Sequence, residues 1–198
     1  CRTDVVVIRH AEKPADRSLT GLSSLGQRRA RAIAERFQKP TWFLPIAALF
    51  AANPSEPPFE HREALTLNPL SEALGIPLDT NFTIYTQDAL ARVVLESRHQ
   101  RCGRSAVISW EHCNIPLLLQ ALGCHTVDMC RRCWSDNDFS SAVRLRWRDA
   151  SDVVPDVHVL NEGWRVCDKR CQKQNTWCDV KAGAMGSTAA VMYNCTLL

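Results

Sequence analysis

Arg9, His10, Arg62 and His112 are the residues of this chain whose types and settings could do chemistry together. Arg9 and His10 follow directly on the apolar run Val5-Val6-Val7-Ile8. His112 follows a second run, Ser105-Ala106-Val107-Ile108-Ser109-Trp110, after Glu111. A guanidinium is a permanent cation whose forked donors suit the oxygens of a phosphate. An imidazole changes charge near neutrality and serves as nucleophile or proton carrier. Brought to one place, two of each form a pocket for a tetrahedral dianion. The arginines hold equatorial oxygens, one histidine attacks phosphorus, and the other stabilises the charge that develops. That chemistry calls for no metal and no cofactor. Each residue also has a plainer reading, in which a strand ends in two polar residues and His112 is a capping or core histidine.

Four consecutive β-branched residues read as a strand buried on both faces, the kind found inside a parallel sheet. Arg9 and His10 then stand at its carboxyl end, where open α/β sheets collect ligands. From Leu22 a helix is expected, with Ser23 as N-cap, Ala30, Ile33, Ala34 and Phe37 on one face, and Arg28, Arg29, Arg31 and Arg36 mostly on the solvent side. Pro40 ends it. Residues 46–52 read as a second strand, closing in a Pro-rich loop over 53–58. Residues 61–74 read as a helix broken or kinked near Pro69, with Gly75 as its C-cap. Arg62 lies at its start, where free amides and the helix dipole also favour an anion. An edge strand is expected within 76–85, and a helix over 87–96 with Asp88 in its first turn. After the strand at 105–110 comes a helix over 115–122, with Pro116 near its start and Gly123 at its end.

This alternation argues a three-layer α/β/α sandwich around a mostly parallel central sheet. Residues 142–148 alternate with period two and read as an antiparallel edge strand, Val143, Leu145 and Trp147 inward and three arginines outward. Residues 157–160 suit one more strand. The expected division is an α/β domain over 1–150 and a cysteine-rich C-terminal extension over 151–198, stapled by disulfides.

The chain has 198 residues, 45% of them apolar, which is enough for a core. Its net charge of +3 carries no nucleic-acid signature. No apolar stretch approaches the ~20 residues that span a bilayer. A first residue that is cysteine rather than methionine suggests a mature or trimmed chain. Ten cysteines, seven of them between Cys124 and Cys195, point to a disulfide-stapled secreted protein. A zinc site from Cys130, Cys133, Cys167 and Cys171 is the rival, and it leaves six cysteines unexplained. The sequons at Asn81 and Asn194 agree with secretion and glycosylation.

Four motifs in order resemble the histidine phosphatase (phosphoglycerate mutase-like) superfamily. Val7-Ile8-Arg9-His10-Ala11-Glu12 resembles its opening Arg-His-Gly-Glu, with alanine for glycine. Leu22-Ser23-Ser24-Leu25-Gly26-Gln27-Arg28-Arg29-Ala30 is similar to its Leu-Thr/Ser-x-x-Gly-x-x-x-Ala. Arg62-Glu63-Ala64-Leu65-Thr66 resembles the helix opened by its second arginine, and Ile108-Ser109-Trp110-Glu111-His112 resembles the strand before its second histidine. Trp110 to Pro116, Ala121-Leu122-Gly123 and Trp134 to Phe139 look like a branch of small phosphatase-like proteins. The likeness covers about residues 4–148.

The resemblance implies that His10 is the nucleophile of a covalent phosphohistidine and that Arg9, Arg62 and His112 bind the phosphoryl group. It implies a metal-independent phosphomonoesterase acting on a phosphorylated small molecule or polymer, with no nucleic-acid or membrane partner. The proton donor of such an enzyme is a carboxylate beyond the second arginine. Asp88 is the expected one, with Glu111 and Glu12 as alternatives. The acid phosphatase and phytase branch is not matched, because Cys113 rather than aspartate follows His112. The rival of another class is a non-catalytic extracellular binding or effector protein on the same scaffold. A mutase is a third possibility.

Overall fold

Strand β1 (Thr3–Arg9) is the spine of the sheet, and every one of its residues is buried. In the computed structural model, which describes residues 1–16, 18–39, 43–54, 61–149 and 151–160, the apolar run pairs on both sides. Its neighbours are β4 (Ser105–Trp110), parallel to it, and β5 (Ala142–Trp147), antiparallel. Successive side chains alternate between faces. Val5 and Val7 join one core cluster and Val6 and Ile8 the other. Burial on both faces is why this strand is apolar throughout instead of alternating.

Among the described residues the sheet has six strands, in the order β3 (Leu78–Asp79), β2 (Ile46–Ala51), β4, β1, β5 and β6 (Asp156–Leu160). Strand β2 runs parallel to β4 and to the two-residue β3. Helices α1 (Ser24–Gln38) and α2 (Arg62–Leu74) cover the Val6/Ile8 face through Ile33, Ala34, Phe37, Leu67 and Leu70. Helices α3 (Gln87–Glu96) and α4 (Ile115–Ala121) cover the other through Leu90, Val94, Ile115 and Leu118. The three-layer α/β/α sandwich with its mostly parallel sheet is present.

Several details differ from expectation. The edge strand within 76–85 reduces to the two residues of β3. Strand β5 is antiparallel as read, but it is not an edge, because β6 (Asp156–Leu160) lies outside it. The sheet therefore takes in residues beyond 150, and Cys167, Cys171, Cys178 and Cys195 lie outside the described residues. Arg146 does not face water freely. It forks onto Asp4, which is fully buried on β1, with both hydrogen bonds at 2.7 Å. Helix α2 passes through Pro69 and ends at Gly75, whose φ of 64° is the left-handed C-cap a glycine favours.

Three disulfides join described residues: Cys1–Cys102, Cys113–Cys133 and Cys124–Cys130. Cys130 and Cys133 thus take different partners, which sets aside the zinc site that needed them together.

Candidate active site

The carboxyl ends of β1 and β4 lie level, with Arg9 opposite Trp110. The amide of His10 donates to the carbonyl of Trp110 at 3.2 Å, so the ladder fixes the backbone one residue past the strand. His10 is 3% exposed and Arg9 4%. The imidazole Nδ1 lies 2.7 Å from the carbonyl oxygen of Ala11. A carbonyl only accepts, so Nδ1 carries the proton and Nε2 keeps its lone pair. Burial, reinforced by the positive charges of Arg9, Arg62 and His112, pushes the His10 pKa down to about 3, against the pull of the Ala11 hydrogen bond. The imidazole is therefore neutral, the form a nucleophile needs.

The loop after His10 is clamped at two points. The amide of Ala11 donates to the hydroxyl of Thr66 on α2 at 2.8 Å. Glu12 accepts two hydrogen bonds from Arg29 Nε, at 2.8 and 2.9 Å, and its carbonyl accepts the amide of Ser23 at 2.8 Å. Arg29, read as a solvent-side residue, is buried for this reason. Gly26 explains the spacing after Ser23. A Cβ there would sit 2.4 Å from the Glu12 carbonyl oxygen, so the first turn of α1 reaches the loop only without a side chain.

Arg9 Nη1 donates to the carbonyl of Ser135 at 2.8 Å, and its guanidinium lies 4.1 Å from the centre of the Phe139 ring. Its buried Nε has no hydrogen-bond partner among the described residues. Burial lowers the Arg9 pKa, opposed by Asp136, Glu111, Asp138 and Glu12. Arg62 opens α2 as expected, and burial lowers its pKa too, against the pull of Glu63. Arg9, Arg62 and His112 thus all bear electrostatically on His10.

His112 Nε2 lies 2.9 Å from Asp136 Oδ1, and Nδ1 is in ion-pair contact with Glu111. Its pKa is lowered, by burial first and by Arg9, with Glu111 and Asp136 opposing. Glu111 is more than a neighbour of His112. Its Oε2 accepts the amides of Cys113 and Asn114, at 2.9 and 3.0 Å, at the start of α4. The Cys113–Cys133 disulfide ties the residue after His112 to the segment that carries Ser135, Asp136 and Phe139.

Asp88 stands exposed in the first turn of α3. A carboxyl that the sequence reading passed over lies elsewhere. Glu63, beside Arg62, is 8% exposed. Burial raises its pKa to about 7, with Glu111 also raising it and its own backbone amide, Arg62 and Arg9 opposing. Thr66 and the Ser135–Phe139 segment were likewise not assigned from sequence. Thr66 closes the motif that Arg62 opens and falls on the same helical stripe as Glu63, Leu67 and Leu70.

No protein-family model matches the chain, and no curated protein matches it. Solved structures do match. The native structure of a mycobacterial glucosyl-3-phosphoglycerate phosphatase superposes with a TM-score of 0.57 at 14% identity, covering 81% of this chain and 99% of that one. The complex of that phosphatase with inorganic phosphate gives 0.52 at 17% identity, covering 83% and 99%. The protein histidine phosphatase SixA complexed with tungstate gives 0.51 at 13%, covering 78% and 94%. The chain shares the fold of these solved phosphatase structures, the fold that the motif resemblance implies.

Proposed function

We propose that this protein is a secreted, metal-independent phosphomonoesterase working through a phosphohistidine at His10. The observation that carries the reading is the neutral, buried His10 imidazole, its Nδ1 proton held by Ala11 and its Nε2 left with the lone pair, under the influence of Arg9, Arg62 and His112. In the first step Nε2 attacks phosphorus while the bond to the ester oxygen breaks, and the leaving alcohol takes a proton. In the second, water attacks the phosphohistidine, inorganic phosphate leaves, and Nε2 regains its lone pair. Arg9 and Arg62 hold the phosphoryl oxygens, and His112 stabilises the charge that builds on them. The structural neighbours named as phosphatases support the class of substrate, a phosphorylated small molecule. Three disulfides and an exposed Asn81 sequon support an oxidising, extracytoplasmic setting.

The test is turnover of an aryl phosphate by the wild type and by His10→Ala, with a rapid alkaline quench and intact-mass measurement. Wild type is expected to show turnover and an alkali-stable, acid-labile phosphoryl adduct, both absent from the variant. Near-normal turnover in His10→Ala refutes the mechanism. A folded wild type inert toward every phosphate ester supports the non-catalytic binding protein instead.

A further inference from the structure

The alkoxide of an ordinary alcohol leaves phosphorus poorly unless it is protonated as the bond breaks. We propose that Glu63, in the first turn of α2, is the acid that supplies that proton, an assignment that rests on the phosphomonoesterase reading above.

Position is the first argument. The buried stripe of α2 is Glu63, Thr66, Leu67 and Leu70. One helical turn on from Glu63, the Thr66 hydroxyl holds the amide of Ala11, the residue next to His10. Glu63 therefore lies on the face that α2 turns toward the loop of the nucleophile, beside Arg62. The charged groups that bear on it are Arg62 on its own helix, Arg9 at the tip of β1 and Glu111 at the tip of β4.

The second argument is what the other carboxyls are doing. A general acid must be protonated when substrate arrives. Glu12 is committed to the Arg29 fork. Glu111 caps the amides of Cys113 and Asn114 and lies against His112. Asp138 accepts the amides of Ser140 and Ser141. Asp136 and Asp88 are exposed. Glu63 is the buried carboxyl of the group, and burial favours its neutral form. The proton passes from the Glu63 carboxyl to the ester oxygen as the phosphorus–oxygen bond breaks. The carboxylate then recovers it from the water that hydrolyses the phosphohistidine.

The experiment compares wild type, Glu63→Gln, Glu63→Asp and Asp88→Asn on glycerol 2-phosphate and on 4-nitrophenyl phosphate, whose leaving group needs no proton. In Glu63→Gln, kcat/KM is expected to fall about 100- to 1,000-fold on glycerol 2-phosphate and less than about tenfold on the nitrophenyl ester. The decline of wild-type kcat above about pH 7 on glycerol 2-phosphate should vanish with it. Glu63→Asp, which keeps a carboxyl, should retain part of the activity and show a displaced pH limb. This arm decides the matter if the glutamine variant does not fold. Equal losses on both substrates overturn the acid role, as does a selective loss in Asp88→Asn. If the wild type hydrolyses neither ester, the phosphomonoesterase reading itself has failed, and the acid role falls with it.

Discussion

A histidine kept neutral by burial makes the fold sensitive to acid, and the size of that effect follows from the structure. His10 has an ordinary pKa of 6.5 and a native value of about 3. Between those values the unfolded chain binds a proton at His10 and the native chain does not. Stability from this residue is thus complete above about pH 6.5 and lost progressively as pH falls toward 3. At about 1.4 kcal/mol per pH unit, the loss is about 2 kcal/mol between pH 7 and pH 5, and about 5 kcal/mol by pH 3. At 3% exposure, water does little to screen it. His10→Gln is neutral at every pH, so the variant should lack this dependence. Urea unfolding of both proteins, disulfides intact, at pH 7 and pH 5 gives the comparison. Wild type should lose about 2 kcal/mol more than the variant on acidification, or about 4–8 °C more in Tm. Other titrating groups cancel in the difference. An equal loss in the two proteins would refute both the buried neutral imidazole and the nucleophile drawn from it.

Gly26→Ala places a methyl against the Glu12 carbonyl. It should cost about 1–3 kcal/mol and lower kcat/KM by displacing the His10 loop, and unchanged melting and kinetics would show that the close approach does not matter. Removing the Cys113–Cys133 bridge with alanine at both positions should cost about 3 kcal/mol. It should also weaken inhibition by inorganic phosphate, because the segment that holds Arg9 through Ser135 is freed. Full stability with an unchanged inhibition constant would contradict that role.

The parts legible in the sequence are those set by local pattern. A run of β-branched residues could only be a doubly buried strand, and β1 is one. Ser23 was readable as an N-cap and accepts the amide of Gly26 at 3.0 Å. Placing Arg9, His10 and His112 at strand tips required no more than knowing where two apolar runs end. The parts that were not legible depend on pairings distant in sequence. Arg146 looks like one of three solvated arginines until β5 is laid beside β1, which puts it opposite Asp4. Arg29 looks the same until the loop after His10 turns back over α1.

Glu63 illustrates a signal that lies in helical phase and not in local motif. In 61–74 the apolar residues Ala64, Leu65, Leu67, Leu70 and Leu74 mark a helix but do not settle which stripe faces the sheet. The buried stripe runs through 63, 66, 67 and 70, spaced as i, i+3, i+4 and i+7. Leu65 falls off it and is exposed. A carboxyl and a hydroxyl in line with two leucines are anomalous on a face packed against a core, since each must find a partner or a task there. Thr66 finds Ala11 and the carbonyl of Arg62. Glu63 has its own backbone amide and the field of two arginines, and its burial sets it apart from the exposed Asp88. The family resemblance, which puts the acid beyond the second arginine, points to Asp88. The helical phase carries the proposal of Glu63, because phase says which face of a helix a side chain occupies.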